Sequence, residues 1–462
     1  TTPEQVALLL SHEDAPHFFG ALDTVILDEL HTLAASKRGD LLALDLARLR
    51  RIAPEVMMIG LSATVARPAE LRAYLHAQIA PGELAGMSDI IVAPPGPAAN
   101  IAILEQDDPV PWGGHSARYA LQTVYDAIAA HRLTLVFVNT RMQAELVFQE
   151  LWRINEQSLS IALHHGSLAA EQRRKVEAAM AAGKLKAVVA TSTLDLGIDW
   201  GDVDLVVNIG APKGASRLIQ RVGRANHRLE EPSKALLVPA NRFEVLECRA
   251  ALQAASAGEQ DAVVDRTGAL DVLAQHILGM ACSAPFSPDD LFAEVRSALP
   301  YATLDRPTFD RILDFVATGG YALRAYDRFA RLKATDDGKL RMSHPSRANQ
   351  YRLNIGTIVE SPMIKLRLTR ARSKNRAQPS GFAGGRILGE VEEYFVEQLA
   401  PGNTFVFAGE ILRFEGMQET EAFCSRSNAA DPMIPSYNGG KFPLSTHLAQ
   451  RVRAMIADPH AW

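Results

Sequence analysis

Three cysteines in 462 residues leave little for covalent bracing. Cys248, Cys282 and Cys424 form no Cys-x-x-Cys pair and have no histidine at metal-ligand spacing. Neither a disulfide frame nor a zinc site is expected, and three reduced thiols suit a cytoplasmic protein. No apolar run approaches the roughly 18 residues of a membrane span. The opening Thr-Thr-Pro-Glu is neither a signal nor a transit peptide. A net positive charge is also missing: the formal charge is −5, which excludes a broadly basic coat, so any nucleic-acid contact must be concentrated in a groove. A phosphate loop of the Gly-x-x-x-x-Gly-Lys-[Ser/Thr] type is absent too. The Gly-Lys pairs at Gly183, Gly338 and Gly440 are followed by Leu, Leu and Phe, so this chain is not expected to hydrolyse ATP alone. No strands precede the first motif, and the chain reads as cut inside a domain.

Between about 20 and 240, short apolar runs alternate with amphipathic segments. The runs Thr24–Leu27, Val56–Gly60, Thr134–Val138, Ile161–His164, Lys186–Ala190, Val203–Ile209 and Ala235–Val238 lack polar alternation, as strands buried on both faces of a parallel sheet do. The segments Ala117–Ala130, Gln143–Glu150 and Ala169–Met180 carry helical spacing. This predicts an α/β fold of two RecA-like parallel-sheet lobes, the first truncated, joined at Pro94-Pro95-Gly96-Pro97. Three short helices (Ala269–Met280, Pro288–Leu299, Pro307–Ala317) and a hairpin over Arg331–Arg341 then suit a winged-helix domain. A β-rich module follows Tyr351. The boundaries expected are 1–95, 96–258, 259–350 and 351–462.

Carboxyl ends of such strands are where sites gather. Asp28-Glu29-Leu30-His31 ends the first run; one carboxylate can hold Mg²⁺ between two phosphates and the next can orient the attacking water. Ser62-Ala63-Thr64 ends the second and can hydrogen-bond the acidic box, coupling it to the nucleic-acid side. Thr191-Ser192-Thr193-Leu194-Asp195-Leu196-Gly197-Ile198-Asp199 offers hydroxyls and N–H groups to a strand phosphate, with Gly197 permitting close approach and Asp199 able to bond a ribose or an arginine. Gln220-Arg221-Val222-Gly223-Arg224 is expected to open a helix with both arginines on one face, presenting guanidinium to a terminal phosphate. A basic run, Lys365 to Arg376, carries six bases and no acids and suggests strand contact. Trp112, Trp152 and Trp200 read as packing residues, since none sits in a basic aromatic cluster.

In this order the set resembles superfamily two helicases: Thr2-Pro3-Glu4, Asp28–His31, Ser62–Thr64, Phe137–Arg141, His164–Gly166, Thr191–Asp199 and Gln220–His227. Tyr351–Ile358, Leu388–Phe395 and Gly439–Thr446 resemble more specifically the large helicase-related (Lhr) group, in its ligase-associated bacterial branch. The resemblance implies an ATP-dependent DExH helicase translocating 3′-to-5′ on single-stranded DNA or a tailed duplex, with an RNA–DNA hybrid as a further candidate substrate, in DNA repair beside an ATP-dependent ligase. It implies that Asp28 serves Mg²⁺ and Glu29 is the general base, with His31 in the same catalytic box. Gln220 and Arg224 would contact the nucleotide, Arg221 would tie to the acidic box, and Gly197, Asp199 and His227 would border the cofactor. Thr2, Pro3, Thr140, Arg141, His165, Gly166, Thr191 and Ser192 would line the DNA backbone. An RNA helicase of related architecture and a non-catalytic nucleic-acid-binding module are the competing expectations.

Overall fold

The computed structural model describes all residues except 63–66, 81, 87, 94–96, 107, 196–202, 226–231, 260–266, 325, 358–361, 370–384, 438–443, 459 and 461–462. The expected Ala63, Thr64, Gly197, Asp199 and His227 therefore lie outside the described residues, as do Trp200 and the basic run beyond Thr369.

Contacts divide the chain into two units, each built from segments distant in sequence. The first joins residues 1–93 to 262–359. Here the strands Thr24–Leu27 and Met57–Gly60 pair in parallel, in register from Thr24↔Met57 to Leu27↔Gly60. Helix Lys37–Ile52 is N-capped by Ser36 and buries Leu41, Leu44 and Leu46 almost completely. The remainder has the predicted winged-helix parts: Leu270–Ser283, Pro288–Arg296 and Arg306–Thr318, then an antiparallel pair Leu332–Ala334 and Leu340–Met342. One core cluster includes Leu44, Leu46, Leu273, Ile277 and Phe309, so both segments share it. Polar groups bind the same seam. Asp40 accepts the Ala269 backbone N–H at 3.1 Å, and Arg48 meets the 3%-exposed Glu294 side chain at 3.1 Å. Burial raises the Glu294 carboxyl pKa, and Arg48 opposes that shift.

The second unit joins 94–261 to 360–462. Its six-stranded parallel sheet runs in the order Asn100–Ile103, Lys234–Val238, Leu205–Ile209, Thr134–Phe137, Ala187–Ala190, Ile161–His164. The four residues Ala187–Ala190 are all fully buried, which explains a run without alternation. The β-rich part is a five-stranded sheet in open order: Arg386–Glu392, Met363–Leu368, Glu421–Arg426, Glu410–Gln418, Thr404–Phe407. The expected α/β lobes, winged helix and β-rich terminal module are thus all present. Glu145, wholly buried in helix Arg141–Arg153, accepts the Ala408 and Gly409 backbone N–H groups at 2.7 and 3.0 Å. Gly409 has φ +73, and a Cβ there would lie 2.3 Å from Phe148. Only glycine fits that turn against the helix.

Candidate nucleotide and nucleic-acid sites

Two strand ends build the acidic box. Leu61 N–H donates to Leu27 carbonyl at 2.8 Å and Leu30 N–H to Leu61 carbonyl at 3.0 Å, which stitches the segments after both strands together. Glu29 adopts left-handed backbone, φ 51, a conformation costing roughly 1–2 kcal/mol for a residue of its kind. The chain thereby turns straight from strand into helix Leu30–Ala34. Asp28 is exposed, and its Oδ1 accepts the Glu29 N–H at 2.9 Å. His31 bridges to the other strand end: its Nδ1 lies 3.1 Å from Ser62 Oγ and its Nε2 3.5 Å from Glu29 Oε2. Burial lowers the His31 pKa against the opposing pull of Glu29 and Asp28. A neutral ring with its proton on Nε2 takes the Ser62 hydroxyl as donor at Nδ1. Glu29 Oε2 is screened from solvent, and among the described residues it accepts no hydrogen bond of acceptable geometry.

Carboxyl ends of three neighbouring strands of the larger sheet gather a second group. Thr140 is exposed and caps helix Arg141–Arg153 in a capping box with Gln143; the Thr-x-x-Gln spacing was readable in the sequence. Arg141 donates to Ser167 Oγ at 3.0 Å and lies over the Tyr437 ring, 5.6 Å from its centroid. Gly166 is exposed; a Cβ there would lie 3.8 Å from Arg141 Nη2 and 4.0 Å from Thr193 Cγ2. Ser192 is exposed and opens the short turn Ser192–Leu194. The structure therefore brings Thr140, Arg141, Gly166 and Ser192 to one edge. Tyr437, which orients Arg141, carried no sequence signal because it stands almost 300 residues away in the chain.

Other expected contacts lie elsewhere. His165 is 0% exposed, with Nε2 3.2 Å from Glu145 Oε1, so its ring does not face solvent where a phosphate could reach it. Thr191 is also buried. His164 is held between Thr193 Oγ1 at 2.8 Å and Glu177 at 3.0 Å, and burial lowers its pKa. In the first unit, exposed Thr2 caps helix Pro3–Leu10, while Pro3 is buried at its first turn. Glu4 pairs through both oxygens with Arg38, which pulls its pKa down to about 2.

The arginine segment departs most from expectation. Gln220 and Arg221 end helix Ala215–Val222 rather than open one, and Arg224 sits beyond the Gly223 cap. Arg221 is 1% exposed. Its Nε donates to Asp195 Oδ1 at 3.0 Å, its Nη1 bonds Asn208 Oδ1, and its guanidinium stacks 4.8 Å from the Phe137 centroid. Within its own unit it ties this helix to Asp195, Asn208 and the Phe137 ring. Gln220 and Arg224 are half-buried, and Arg224 Nε has no hydrogen-bond partner. Trp112 and Trp152 are 68% and 56% exposed; Trp152 stacks on Phe148 with centroids 6.0 Å apart, so the expected packing is made on the surface and not in the core.

One parallel-sheet unit with an acidic strand end beside a hydroxyl, and a second with an arginine segment at a helix end, are the parts expected of a helicase. Comparison with known proteins agrees. Family models match for the DEAD/DEAH box helicase over 1–71, the helicase conserved C-terminal domain over 119–228, and the large helicase-related protein winged helix domain over 253–434. The ATP-dependent helicase Lhr-Core of Methanothermobacter thermautotrophicus is 35% identical over 99% of this chain and 52% of that protein. The Lhr helicase/probable uracil glycosylase of Mycolicibacterium smegmatis is 31% identical over 99% of this chain and 32% of its own length. A solved structure of Mycobacterium smegmatis helicase Lhr bound to ssDNA and AMP-PNP matches with TM-score 0.68 and 34% identity, over 78% of this chain and 46% of that one. The chain belongs to the large helicase-related, or Lhr, family of helicases. It spans about half the length, or less, of these relatives.

Proposed function

We propose that this chain is part of an ATP-dependent DNA helicase that translocates 3′-to-5′ and serves DNA repair, with an ATP-dependent ligase as a functional partner. The observation that carries the reading is the chain of contacts Glu29–His31–Ser62, which links the carboxylate after the first strand to the hydroxyl after its neighbour. Such a base can orient and accept a proton from water attacking a terminal phosphate. The exposed Asp28, whose Oδ1 accepts its neighbour's N–H, suits a hard cation. Bound there, Mg²⁺ would neutralise phosphate charge. Gln220 and Arg224 would meet nucleotide phosphates. Thr140, Arg141, Gly166 and Ser192 would take the strand backbone, as the Lhr relative bound to ssDNA supports.

Strand displacement by the whole protein, with fork polarity and strand chemistry varied, tests this. Glu29→Gln should abolish ATP turnover and unwinding while nucleotide-free DNA affinity stays within about twofold, and Arg224→Ala should abolish unwinding. Wild-type turnover in Glu29→Gln would sink the assignment. The 462-residue chain alone, lacking a phosphate loop, should show no ATP turnover.

A further inference from the structure

The second unit displays an aromatic pair that none of the roles above uses. Trp112 and Phe243 are 68% and 67% exposed. Their ring centroids stand 6.3 Å apart at an interplanar angle of 59°. Exposed rings of this size are normally mobile or covered; these are pinned. Arg242 lies 4.4 Å from the Trp112 centroid and donates from Nε to the Val110 carbonyl at 2.8 Å. Its backbone N–H reaches the Pro111 carbonyl at 2.9 Å. On the far side of the loop, Asn241 Nδ2 donates to the Gly114 carbonyl at 3.2 Å and Gln143 Nε2 to the His115 carbonyl at 2.6 Å. The loop is thus tied to the start of helix Arg242–Ser256 and to the capping box of helix Arg141–Arg153.

We propose that Trp112 and Phe243 form a stacking platform for the bases of a single nucleic-acid strand. Position chooses the occupant. Strand Lys234–Val238, which leads into Asn241–Phe243, is parallel to its sheet neighbours, so the pair sits at the same carboxyl edge as Thr140, Gly166 and Ser192. It is two strands from Thr134–Phe137 and three from Ala187–Ala190, roughly 10 and 14 Å at the usual strand spacing. A strand whose phosphates lie on the hydroxyls and glycine of those strand ends can carry its bases onto the rings within a short oligonucleotide. Stacking is tolerant of sequence because every base has a π-face, and a guanidinium shared with Trp112 adds cation–π attraction. Gln143, which both completes the Thr140 cap and holds His115, sets platform and backbone contacts in one frame.

This proposal rests on the reading of a nucleic-acid path above, and its test separates the two. Affinity of the 462-residue chain for a single-stranded oligonucleotide is measured with Trp112→Ala, Trp112→Phe and Phe243→Ala. Trp112→Ala should weaken binding roughly 5- to 100-fold, and Phe243→Ala should weaken it too. Trp112→Phe should keep most of the affinity but lose most of the DNA-induced quenching of tryptophan emission. The dependence of affinity on salt should keep its slope, since stacking releases no counterions, and thermal midpoints should not move. Unchanged affinity in both alanine variants overturns the platform and leaves the strand path standing. If the unaltered chain binds no oligonucleotide, the path itself fails and the platform with it. A dimer in sedimentation velocity that Trp112→Ala dissolves, with DNA affinity intact, would instead make the pair a contact between copies.

Discussion

Removing Arg221 should unfold the second unit at markedly lower denaturant, whereas removing Arg224 should not. The Arg221 side chain is 1% exposed and serves the 7%-exposed side chain of Asp195 as well as the buried Asn208. Arg221→Ala leaves a buried carboxylate without its close cation, a change that typically costs about 3–5 kcal/mol. Loss of the stack on Phe137 adds to it. Arg217 lies 3.9 Å from the other Asp195 oxygen and offers partial relief, so the lower end, about 3 kcal/mol, is expected. Arg221→Lys keeps charge without the planar fork and should cost about 1–2 kcal/mol. The half-buried Arg224 should cost no more than about 0.5 kcal/mol on truncation to alanine. All four tryptophans, at 112, 152, 200 and 462, belong to the second unit, so urea unfolding followed by tryptophan emission reports on that unit alone. An Arg221→Ala midpoint equal to wild type, or an equal loss in Arg224→Ala, would refute the inward assignment.

Two further outcomes follow from buried charge. Glu145→Gln should lower the same urea midpoint by about 1.5–3 kcal/mol, because one acceptor facing the Ala408 and Gly409 N–H groups becomes a donor; a change below about 0.5 kcal/mol would show that the turn does not need the carboxylate. His276 is buried in the first unit, and burial, then Arg48, pulls its pKa down to about 3. The unfolded chain therefore takes the proton first: stability is full above about pH 6.5 and falls as pH drops towards 3, by up to about 1.4 kcal/mol per unit. Hydrogen exchange along helix Leu270–Ser283 should show this acid loss, and His276→Leu should flatten it.

Strand identity was legible because fully buried parallel strands dispense with polar alternation, as Ala187–Ala190 and Leu205–Ile209 do. The contact between the two strand ends was legible, since Ser62 reaches His31 as its place after the second strand suggested. What failed was orientation. Helical spacing put Arg221 and Arg224 on one face of an opening helix, but the helix stops at Val222, with Arg221 buried and Arg224 half-buried beyond its end. His165 was expected at the DNA backbone, yet its buried partner, Glu145, lies 20 residues away in the chain. The exposure of Trp112 and Trp152 was not legible, because apolar rings give no local sign of which side faces water. Arg242, which holds Trp112, stands 130 residues away and becomes its neighbour only after folding.

Pairing of non-adjacent segments bears on how this polypeptide can be dissected. A gene cut at about 260 would strip helix Lys37–Ile52 of the surface that covers Leu44 and Leu46, and would strand Asp40 and Arg48 without Ala269 and Glu294. A cut at about 350 would take away the Ala408 and Gly409 N–H groups and leave Glu145 with His165 alone of these partners. Expression of either half in linear order would yield sticky, misassembled material, whereas joining 1–93 directly to 262–359 through a short linker should give a soluble piece.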